Sequence, residues 1–245
     1  RKKEEVLKDM PSKTIQKQLV ELYPAQRKLY KQMEQDMIMA ISETETVAAP
    51  VVIAQITRLK QIAVSAELLG APAPSAKLDT LMDIIEDSGD QKIVVFSQFA
   101  TAINLAAARL AEAGISYVTF TGQNVAIRDD NLAIFQSNPD CKVFLATIQA
   151  GGVGIALTSA SIAVFLDKDW VPANNNQAID RLHRIGQTRP VTVIELIAQN
   201  TVEEWIEELL AEKQEIFDSL IDGKATTSEL WKDLARVIQE KGGRR

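Results

Sequence analysis

The segment QAIDRLHRIGQ, residues 177–187, holds two arginines three positions apart, Arg181 and Arg184, beside the chain's only histidine. A guanidinium group is a planar, permanently charged fork of N–H donors that matches the oxygens of a carboxylate or a phosphate. The apolar spacing of the segment predicts a helix, on which positions i and i+3 share one face. The pair is therefore a candidate anion site. The alternative is that the arginines pair only with surface acids such as Asp180 or Asp169.

Polar and glycine residues follow the predicted strands, at the point where each apolar run ends. They are Ser97 and Gln98 after KIVVF, Thr121 to Asn124 after YVTF, Thr147 and the loop IQAGGVGIALTSA after KVFLA, and Asp167 to Trp170 after VFL. Glycines in the loop after KVFLA allow positive φ and a close approach of the backbone, whose N–H groups can bind a phosphate. Taken alone, this loop is equally consistent with a tight turn that binds nothing.

The sequence argues against several other kinds of site. The single cysteine, Cys141, excludes an internal disulfide, and with the single His183 it excludes a structural zinc site; we expect Cys141 to fill the core. The pair Gly223 and Lys224 does not form a phosphate-binding loop, because no glycine stands five residues earlier and Ala225 follows in place of Ser or Thr. No Gly-x-Gly-x-x-Gly follows KIVVF, which argues against a dinucleotide-binding domain. The chain alone is not expected to hydrolyse ATP.

The distribution of charge matters more than its sum. The 245 residues carry a net charge of −6, but residues 195–222 hold nine acids and one lysine, so the rest of the chain sums to about +2. The acidity belongs to one segment, and an acidic total does not exclude a nucleic-acid partner. The apolar runs are far shorter than the roughly 20 residues of a membrane span. We expect a cytosolic or nuclear protein.

Two kinds of pattern divide the chain. Residues 1–70 show apolar residues at three- and four-residue spacing and predict an amphipathic helical arm. The stretch APAPSA, residues 71–76, is a semi-rigid hinge rich in proline and alanine. We accordingly place a helical arm and linker in residues 1–75, an α/β domain in residues 76–222, and a C-terminal helix or brace in residues 223–245.

Beyond the hinge, predicted strands alternate with predicted helices. Continuous apolar strands are expected at residues 92–97, 115–120, 141–147, 161–167 and 191–197, and helices at residues 77–87, 101–114, 127–137, 177–186 and 201–223. Strands that are apolar on both faces, joined by long crossovers, indicate a parallel sheet covered by helices on both faces. The expected fold class is three-layer α/β. Ligands of such sheets bind beyond the carboxyl ends of the strands.

The order of these segments resembles that of a known family. FSQF, TGQ with Arg128 downstream, ATIQAGGVGIALTSA, DKDWVP and QAIDRLHRIGQTRPV are similar to motifs IV, V, Va and VI of the Swi/Snf-type helicase-like ATPases of superfamily two. The similarity runs from about residue 78 to residue 222. The opening RKKEEVLKDMPSKTIQKQLVELYPAQRKLY resembles the link between the two motor lobes. The resemblance implies a RecA-like C-terminal lobe, which is half of a complete motor.

This resemblance implies roles at the nucleotide. Arg181 and Arg184 match the arginine fingers that stabilise charge on the γ-phosphate of ATP held by the first lobe, and Gln177 begins the same motif. Gly152 and Gly154 match a further part of the nucleotide site. The Mg²⁺ ion would be bound by the first lobe, which this chain lacks. We expect the neighbouring histidine to pack on the helix and not to contact the ligand.

The resemblance also implies that motifs IV and V grip the phosphate backbone of DNA, a contact that carries no base-sequence information. The matching positions here are Ser97, Gln98, Gly122, Arg128, Thr147, Gln149 and Gly152. A serine at the end of a strand is more often a cap, so Ser97 is assigned from this context alone. Trp170 is either a DNA contact or a packing anchor under the motif Va loop, and the packing role is favoured.

Two functions follow as expectations. The first is the second motor lobe of an ATP-dependent double-stranded DNA translocase of the chromatin-remodelling type. Its partners would be DNA, the first lobe of the same parent chain and a DNA-bound protein. The second is a standalone α/β module that binds DNA or protein without motor activity. The absence of a methionine at Arg1 favours the first, because it is typical of a piece of a longer chain.

Overall fold

The structure of the chain is a computed structural model that describes residues 10–42, 49–123, 125–151 and 154–212. Gly152, to which a role was assigned above, lies outside the described residues. The start of the predicted arm and the predicted helix or brace in residues 223–245 also lie outside them.

Strands and helices alternate through the described part of the chain. The strands are β1 (Lys13–Val20), β2 (Ile93–Ser97), β3 (Tyr117–Phe120), β4 (Val143–Thr147), β5 (Ile162–Phe165) and β6 (Val191–Ala198). The α-helices are α1 (Pro24–Ser42), α2 (Ala49–Val64), α3 (Ala76–Asp87), α4 (Ala100–Glu112), α5 (Arg128–Ser137), α6 (Ile148–Gly151), α7 (Pro172–Ile179) and α8 (Val202–Glu212). Short 3₁₀ turns occupy Ala66–Leu69 and Val125–Ile127.

The strands form one sheet with the order β1-β6-β5-β2-β4-β3. Strand β2 is central, and Val95 in it lies opposite Leu145 of β4 and Val164 of β5, with all three strands parallel. Every residue of β2 and β4 is buried, as expected for strands covered on both faces. The rings of Phe96 and Phe165 extend the core between neighbouring strands, with centroids 5.1 Å apart. The predicted α/β class with a parallel sheet is therefore confirmed.

Residues 13–20 form strand β1, so the prediction of a helix is wrong for this stretch. The backbone N–H of Val191 donates to the Ser12 carbonyl, and that of Gln199 donates to the Val20 carbonyl, each at 2.9 Å. These bonds align β1 with β6 at the edge of the sheet. The local sequence KTIQKQLV carries only a weak apolar pattern, and pairing with a neighbouring strand decides its conformation. The remainder of the described arm is helical, as predicted.

Helix α7 ends at Ile179, so the prediction of a helix over residues 177–186 is wrong beyond that residue. Beyond it, the backbone N–H groups of Arg181 and Leu182 donate three residues back, to Ala178 O at 3.1 Å and Ile179 O at 3.0 Å, while that of His183 donates four residues back, to Ile179 O at 3.0 Å. Leu182 turns into the core, where it is fully buried. Arg181 and Arg184 therefore lie in an irregular turn and not on a regular helix.

The described residues fall into two compact units. The first consists of residues in Arg1–Gln18 and Leu78–Leu196, and its core includes the packed rings of Phe120, Phe135 and Phe144. It contains every described residue to which a ligand was assigned above. The sequence-based domain limits at residues 75 and 222 stay a prediction.

The second unit consists of residues in Leu19–Lys77 and Ile197–Arg245. Within it, Lys77 Nζ lies 2.6 Å from Glu203 Oε2, and the Lys77 side chain is fully buried. The hydroxyl of Tyr30, also fully buried, accepts the backbone N–H of Val202 at 2.7 Å. These contacts join α1, the start of α3 and the start of α8. None of the described helices has the length and apolar composition needed to cross a membrane.

Candidate functional site

The carboxyl ends of β2 and β4 bring several predicted residues together. Ser97 and Thr147 close these strands and are partners in the ladder, and both are buried. Gln98 follows Ser97 and is half-buried, and Gln149 lies exposed in α6 directly after Thr147. Because the strands are parallel, these four residues share one edge of the sheet, as the sequence predicted. Their contact with DNA stays a prediction.

Asp167, to which no role was assigned above, holds the end of β2 in place. Its buried carboxylate accepts the hydroxyl of Ser97 and, at 3.0 Å, the backbone N–H of Gln98. The side-chain amide of Gln98 donates to the carbonyl of Lys168, and the backbone N–H of Phe99 donates to Ser97 Oγ at 3.0 Å. The proton of the Ser97 hydroxyl is thus committed within the protein. An acid directly after a buried apolar strand was the only signal for this role in the sequence.

Arg128 and Gly122 lie after the end of β3. Arg128 donates from Nε and Nη2 to the carbonyl of Thr121, at 3.0 and 2.7 Å, and its Cζ lies 5.0 Å from the ring centroid of Phe120. Gly122 is exposed, and a Cβ placed on it would meet no atom within 4 Å, so lack of space is not the reason for a glycine here. Arg128 thus fixes the loop after β3, and its contact with DNA stays a prediction.

Residues 154–160, which we call the glycine loop, follow α6. Gly154 is exposed and has φ +28°, a conformation that side chains with a Cβ rarely adopt. The carbonyl of Ala156 accepts the side-chain amide of Gln136 at 2.9 Å. The assignment of Gly154 to the nucleotide site stays a prediction.

Trp170 is half-buried in the turn that leads into α7. This turn is fixed by its neighbours, because the backbone N–H of Asp169 donates to Asn175 Oδ1 at 2.8 Å and Asn175 Nδ2 donates back to the Asp169 carbonyl at 2.9 Å. Pro172 occupies the first turn of α7, where its missing N–H would have no helical partner. The turn therefore presents Trp170 in a defined place, whether it packs or contacts DNA.

Arg181 and Arg184 are half-buried in residues 180–187, which we call the arginine segment. Two hydrogen bonds tie this segment to the glycine loop. The carbonyl of Arg181 accepts the backbone N–H of Leu157 at 2.8 Å, and Nη1 of Arg184 donates to the carbonyl of Ile155 at 3.2 Å. The structure thus places both arginines beside the loop that follows β4, although no helix carries them.

Gln177 and His183, the other two residues named in motif VI, lie in different surroundings from each other. Gln177 is exposed in the last turn of α7, four residues before Arg181. His183 Nε2 lies 2.8 Å from the carbonyl of Pro11, so this nitrogen carries the proton that the carbonyl accepts. His183 therefore ties the arginine segment to the residues before β1, and the expectation that it does not contact a ligand stays a prediction.

Gln187, to which no role was assigned above, closes the arginine segment from within. Its side-chain Nε2 donates to the carbonyls of Ala160 and Leu182, at 2.8 and 3.2 Å. Its Oε1 accepts the backbone N–H groups of Thr188 and Arg189, each at 3.0 Å. A buried amide with all its partners satisfied is a rigid fastening point.

This arrangement is suited to binding an anion. Two guanidinium groups within four residues supply positive charge and several N–H donors, which fit the oxygens of a terminal phosphate such as that of ATP. Neither arginine is fully buried, so a ligand can approach them. Among the residues that the structure describes, no group of three His, Cys, Asp or Glu side chains could hold a metal ion.

Comparisons with known proteins agree on one family. The helicase conserved C-terminal domain matches residues 76–186. An uncharacterized ATP-dependent helicase of Mycoplasma pneumoniae is 34% identical over 88% of the chain, and the chromatin-remodeling ATPase INO80 of Emericella nidulans is 39% identical over 61% of the chain.

Solved structures give the same answer. The Sulfolobus solfataricus SWI2/SNF2 ATPase core in complex with dsDNA is similar over 91% of this chain and 50% of its own, with 31% identity and a TM-score of 0.76. The C-terminal domain of the Sulfolobus solfataricus SWI2/SNF2 ATPase, taken alone, is similar over 90% of this chain and 92% of its own, with 28% identity and a TM-score of 0.71. The chain spans 21% of the length of the Mycoplasma relative and 9% of that of INO80.

Proposed function

Because this chain belongs to the Swi/Snf-type helicase-like ATPases and forms their RecA-like C-terminal lobe, we propose that it is the second motor lobe of an ATP-dependent translocase on double-stranded DNA. The first lobe of the same parent protein would hold ATP and Mg²⁺. This lobe would supply two arginines to the nucleotide and would grip the DNA backbone.

The observation that carries this proposal is the arginine segment bonded to the glycine loop. A turn alone would leave Arg181 and Arg184 loosely placed. Here the bonds from Leu157 to Arg181 and from Arg184 to Ile155 fix the backbone and one guanidinium beside the loop that leads from α6 to β5.

The chemistry proposed for the arginines is stabilisation of developing charge. When bound, ATP supplies the phosphoryl group that is transferred to water. Arg181 and Arg184 would donate to its terminal phosphate oxygens once the two lobes close, and such groups contribute roughly 10³ to 10⁵ in rate. Gln177 and Gly154, with Gly152, would complete the nucleotide contacts on this side.

The DNA grip is proposed for the carboxyl edge formed by β2, β3 and β4. The Sulfolobus relative carries dsDNA, and we transfer that partner to this chain as part of the proposal. The proposed contacts are the hydroxyl, amide, glycine and cationic groups of Ser97, Gln98, Gly122, Arg128, Thr147 and Gln149, with Trp170 at their border. The Ser97 hydroxyl already donates its proton to Asp167 and cannot donate it to a phosphate at the same time. The contribution of Ser97 to phosphate binding would therefore be minor.

The similarity to INO80 extends the proposal to the substrate of the motor. A motor of this kind would act inside the cell, on a protein that is bound to DNA. A standalone module without motor activity is the alternative, and it predicts that the complete protein shows no DNA-stimulated ATP hydrolysis that depends on Arg181 or Arg184.

The test is DNA-stimulated ATP hydrolysis by the complete protein that contains this chain. We expect R181A and R184A each to lower kcat at least about tenfold, with the Kd for duplex DNA little changed. Arg109 on α4 is the matched control, because it pairs on the surface with Asp79 at 3.2 Å and R109A removes the same charge. Full turnover in both R181A and R184A would reject the proposed function.

A further inference from the structure

The arginine segment lies outside the regular helices, and the buried side chain of Gln187 makes four hydrogen bonds in and around it. We propose that Gln187 is a positioning residue that sets where Arg181 and Arg184 lie. This inference rests on the proposed function and adds to it a residue that does not touch the nucleotide.

Gln187 forms hydrogen bonds at several points of the segment. Its backbone N–H donates to the Arg184 carbonyl at 3.0 Å, and its side chain donates to the carbonyl of Leu182 at 3.2 Å. One residue therefore fastens both the position between the two arginines and Arg184 itself. The same Nε2 also reaches the Ala160 carbonyl at 2.8 Å, at the end of the glycine loop.

The amide is chemically specific for this place. It must offer two donors toward carbonyl oxygens and one acceptor toward the N–H groups of Thr188 and Arg189. Only Asn and Gln carry an NH₂ group and a carbonyl oxygen on one side chain. Glu at this position would keep the acceptor and direct a negative charge at two carbonyls. Gln187 is 7% exposed, so water would not readily replace the lost donors.

Loss of the two Gln187 donors would leave the carbonyls of Leu182 and Ala160 without these hydrogen bonds. The Leu182 side chain would stay in the core, but the turn from Leu182 to Gln187 would no longer be closed by a side chain. A displacement of about 1 Å at a catalytic group can lower a rate roughly a hundredfold. The effect would fall on the rate of the chemical step and not on ATP binding by the first lobe.

The test is a double-mutant cycle in the complete protein, with Q187E and R184A alone and combined. We expect Q187E to lower kcat at least about tenfold while KM for ATP and Kd for DNA stay within about twofold. If Gln187 acts through the arginine segment, Q187E should lower kcat by a smaller factor in the R184A background than in the unsubstituted protein, because one of the two arginines that it positions is already absent. Q32E on an exposed face of α1 makes the same chemical change and should leave turnover unaltered.

The assays are run below the unfolding midpoint of every variant, so that loss of fold cannot imitate loss of positioning. Q187N, which keeps the amide one methylene shorter, is the second variant, and its kcat should fall between those of Q187E and the unsubstituted protein. Full turnover in Q187E, losses that multiply with R184A, or a change in KM alone would overturn the inference. If R181A and R184A were themselves without effect, the proposed function would fail, and the inference with it.

Discussion

The carboxylate of Asp167 accepts the hydroxyl of Ser97 in a buried hydrogen bond between the ends of β5 and β2. The two residues are 70 positions apart in the chain. The bond explains how a loop that carries proposed DNA contacts is held at a fixed place on the sheet edge, because the same carboxylate also accepts the backbone N–H of Gln98.

Asp167→Ala should therefore destabilise the fold. The substitution leaves a buried hydroxyl and a half-buried N–H without their acceptor, and hydrogen bonds to a charged group contribute about 1.5 to 3 kcal/mol each. We expect the free energy of unfolding, measured by urea titration, to fall by about 3 kcal/mol. Asp83→Ala, at an exposed position on α3, should change it by less than about 0.5 kcal/mol. Equal effects of the two substitutions would show that the buried carboxylate contributes nothing special.

The parallel sheet could be predicted because its signal is local. Runs such as KIVVFS and CKVFLAT are apolar on both faces, and in the structure β2 and β4 lie within these runs and are buried throughout. Strand β1 could not be predicted in the same way. It is exposed along most of its length, so no apolar pattern marks it, and its conformation depends on bonds to β6 that lie more than 170 residues away in the chain.

The sequence could nominate residues for a site but could not give their geometry. Arg181 and Arg184 were recognised from residue type and motif order. The spacing of their apolar neighbours is helical, yet the regular helix ends at Ile179, before either arginine. The roles of Asp167 and Gln187 come from contacts with residues 70 and 27 positions away, which no local pattern contains.

Replacing Lys77 alone should lower the free energy of unfolding more than replacing both Lys77 and Glu203. Lys77 is fully buried and its Nζ lies 2.6 Å from Glu203 Oε2, which also accepts the backbone N–H of Ala198. Lys77→Met leaves a buried carboxylate without its cation, and such a loss costs about 3 to 5 kcal/mol. The double substitution K77M/E203L should recover a large part of this in thermal unfolding.

The exposed pair of Arg109 and Asp79 provides the contrast. Its side chains are about one-third exposed, so R109A should cost less than about 1 kcal/mol. If K77M were as mild as R109A, the buried pair would not stabilise the second unit.

Tyr30 should make the protein less stable at alkaline pH. Burial, reinforced by the charge of Glu34, raises the pKa of the Tyr30 hydroxyl well above its ordinary value of 10.0. Since the native state holds this proton more tightly than the unfolded state, the contribution is complete below about pH 10 and is lost as the pH rises toward the native pKa. The free energy of unfolding should therefore fall more steeply above pH 10 than it does in Tyr30→Phe.

Absorbance near the phenolate band gives a direct check on the same group. Of the three tyrosines, Tyr30 should ionise only when the protein unfolds. Tyr30→Phe should remove the change in phenolate absorbance that accompanies unfolding at alkaline pH. Ionisation of all three tyrosines in the folded protein would contradict the buried environment of Tyr30.

Arg128 should contribute to DNA binding through charge and not through base recognition. Nε and Nη2 of its guanidinium are held by the Thr121 carbonyl, which fixes a cation at the end of β3 beside the exposed Gly122. A phosphate contact releases counterions, so R128A should weaken duplex binding equally across sequences and reduce the slope of log K against log salt by about 0.9. R128K keeps the charge but loses the fork to Thr121, and it should preserve the slope while lowering the affinity at low salt.

R109A serves as the control for a lost surface cation. If R128A left the slope unchanged, Arg128 would act only as the cap of β3, and the positive charge that meets DNA would have to come from elsewhere on the lobe.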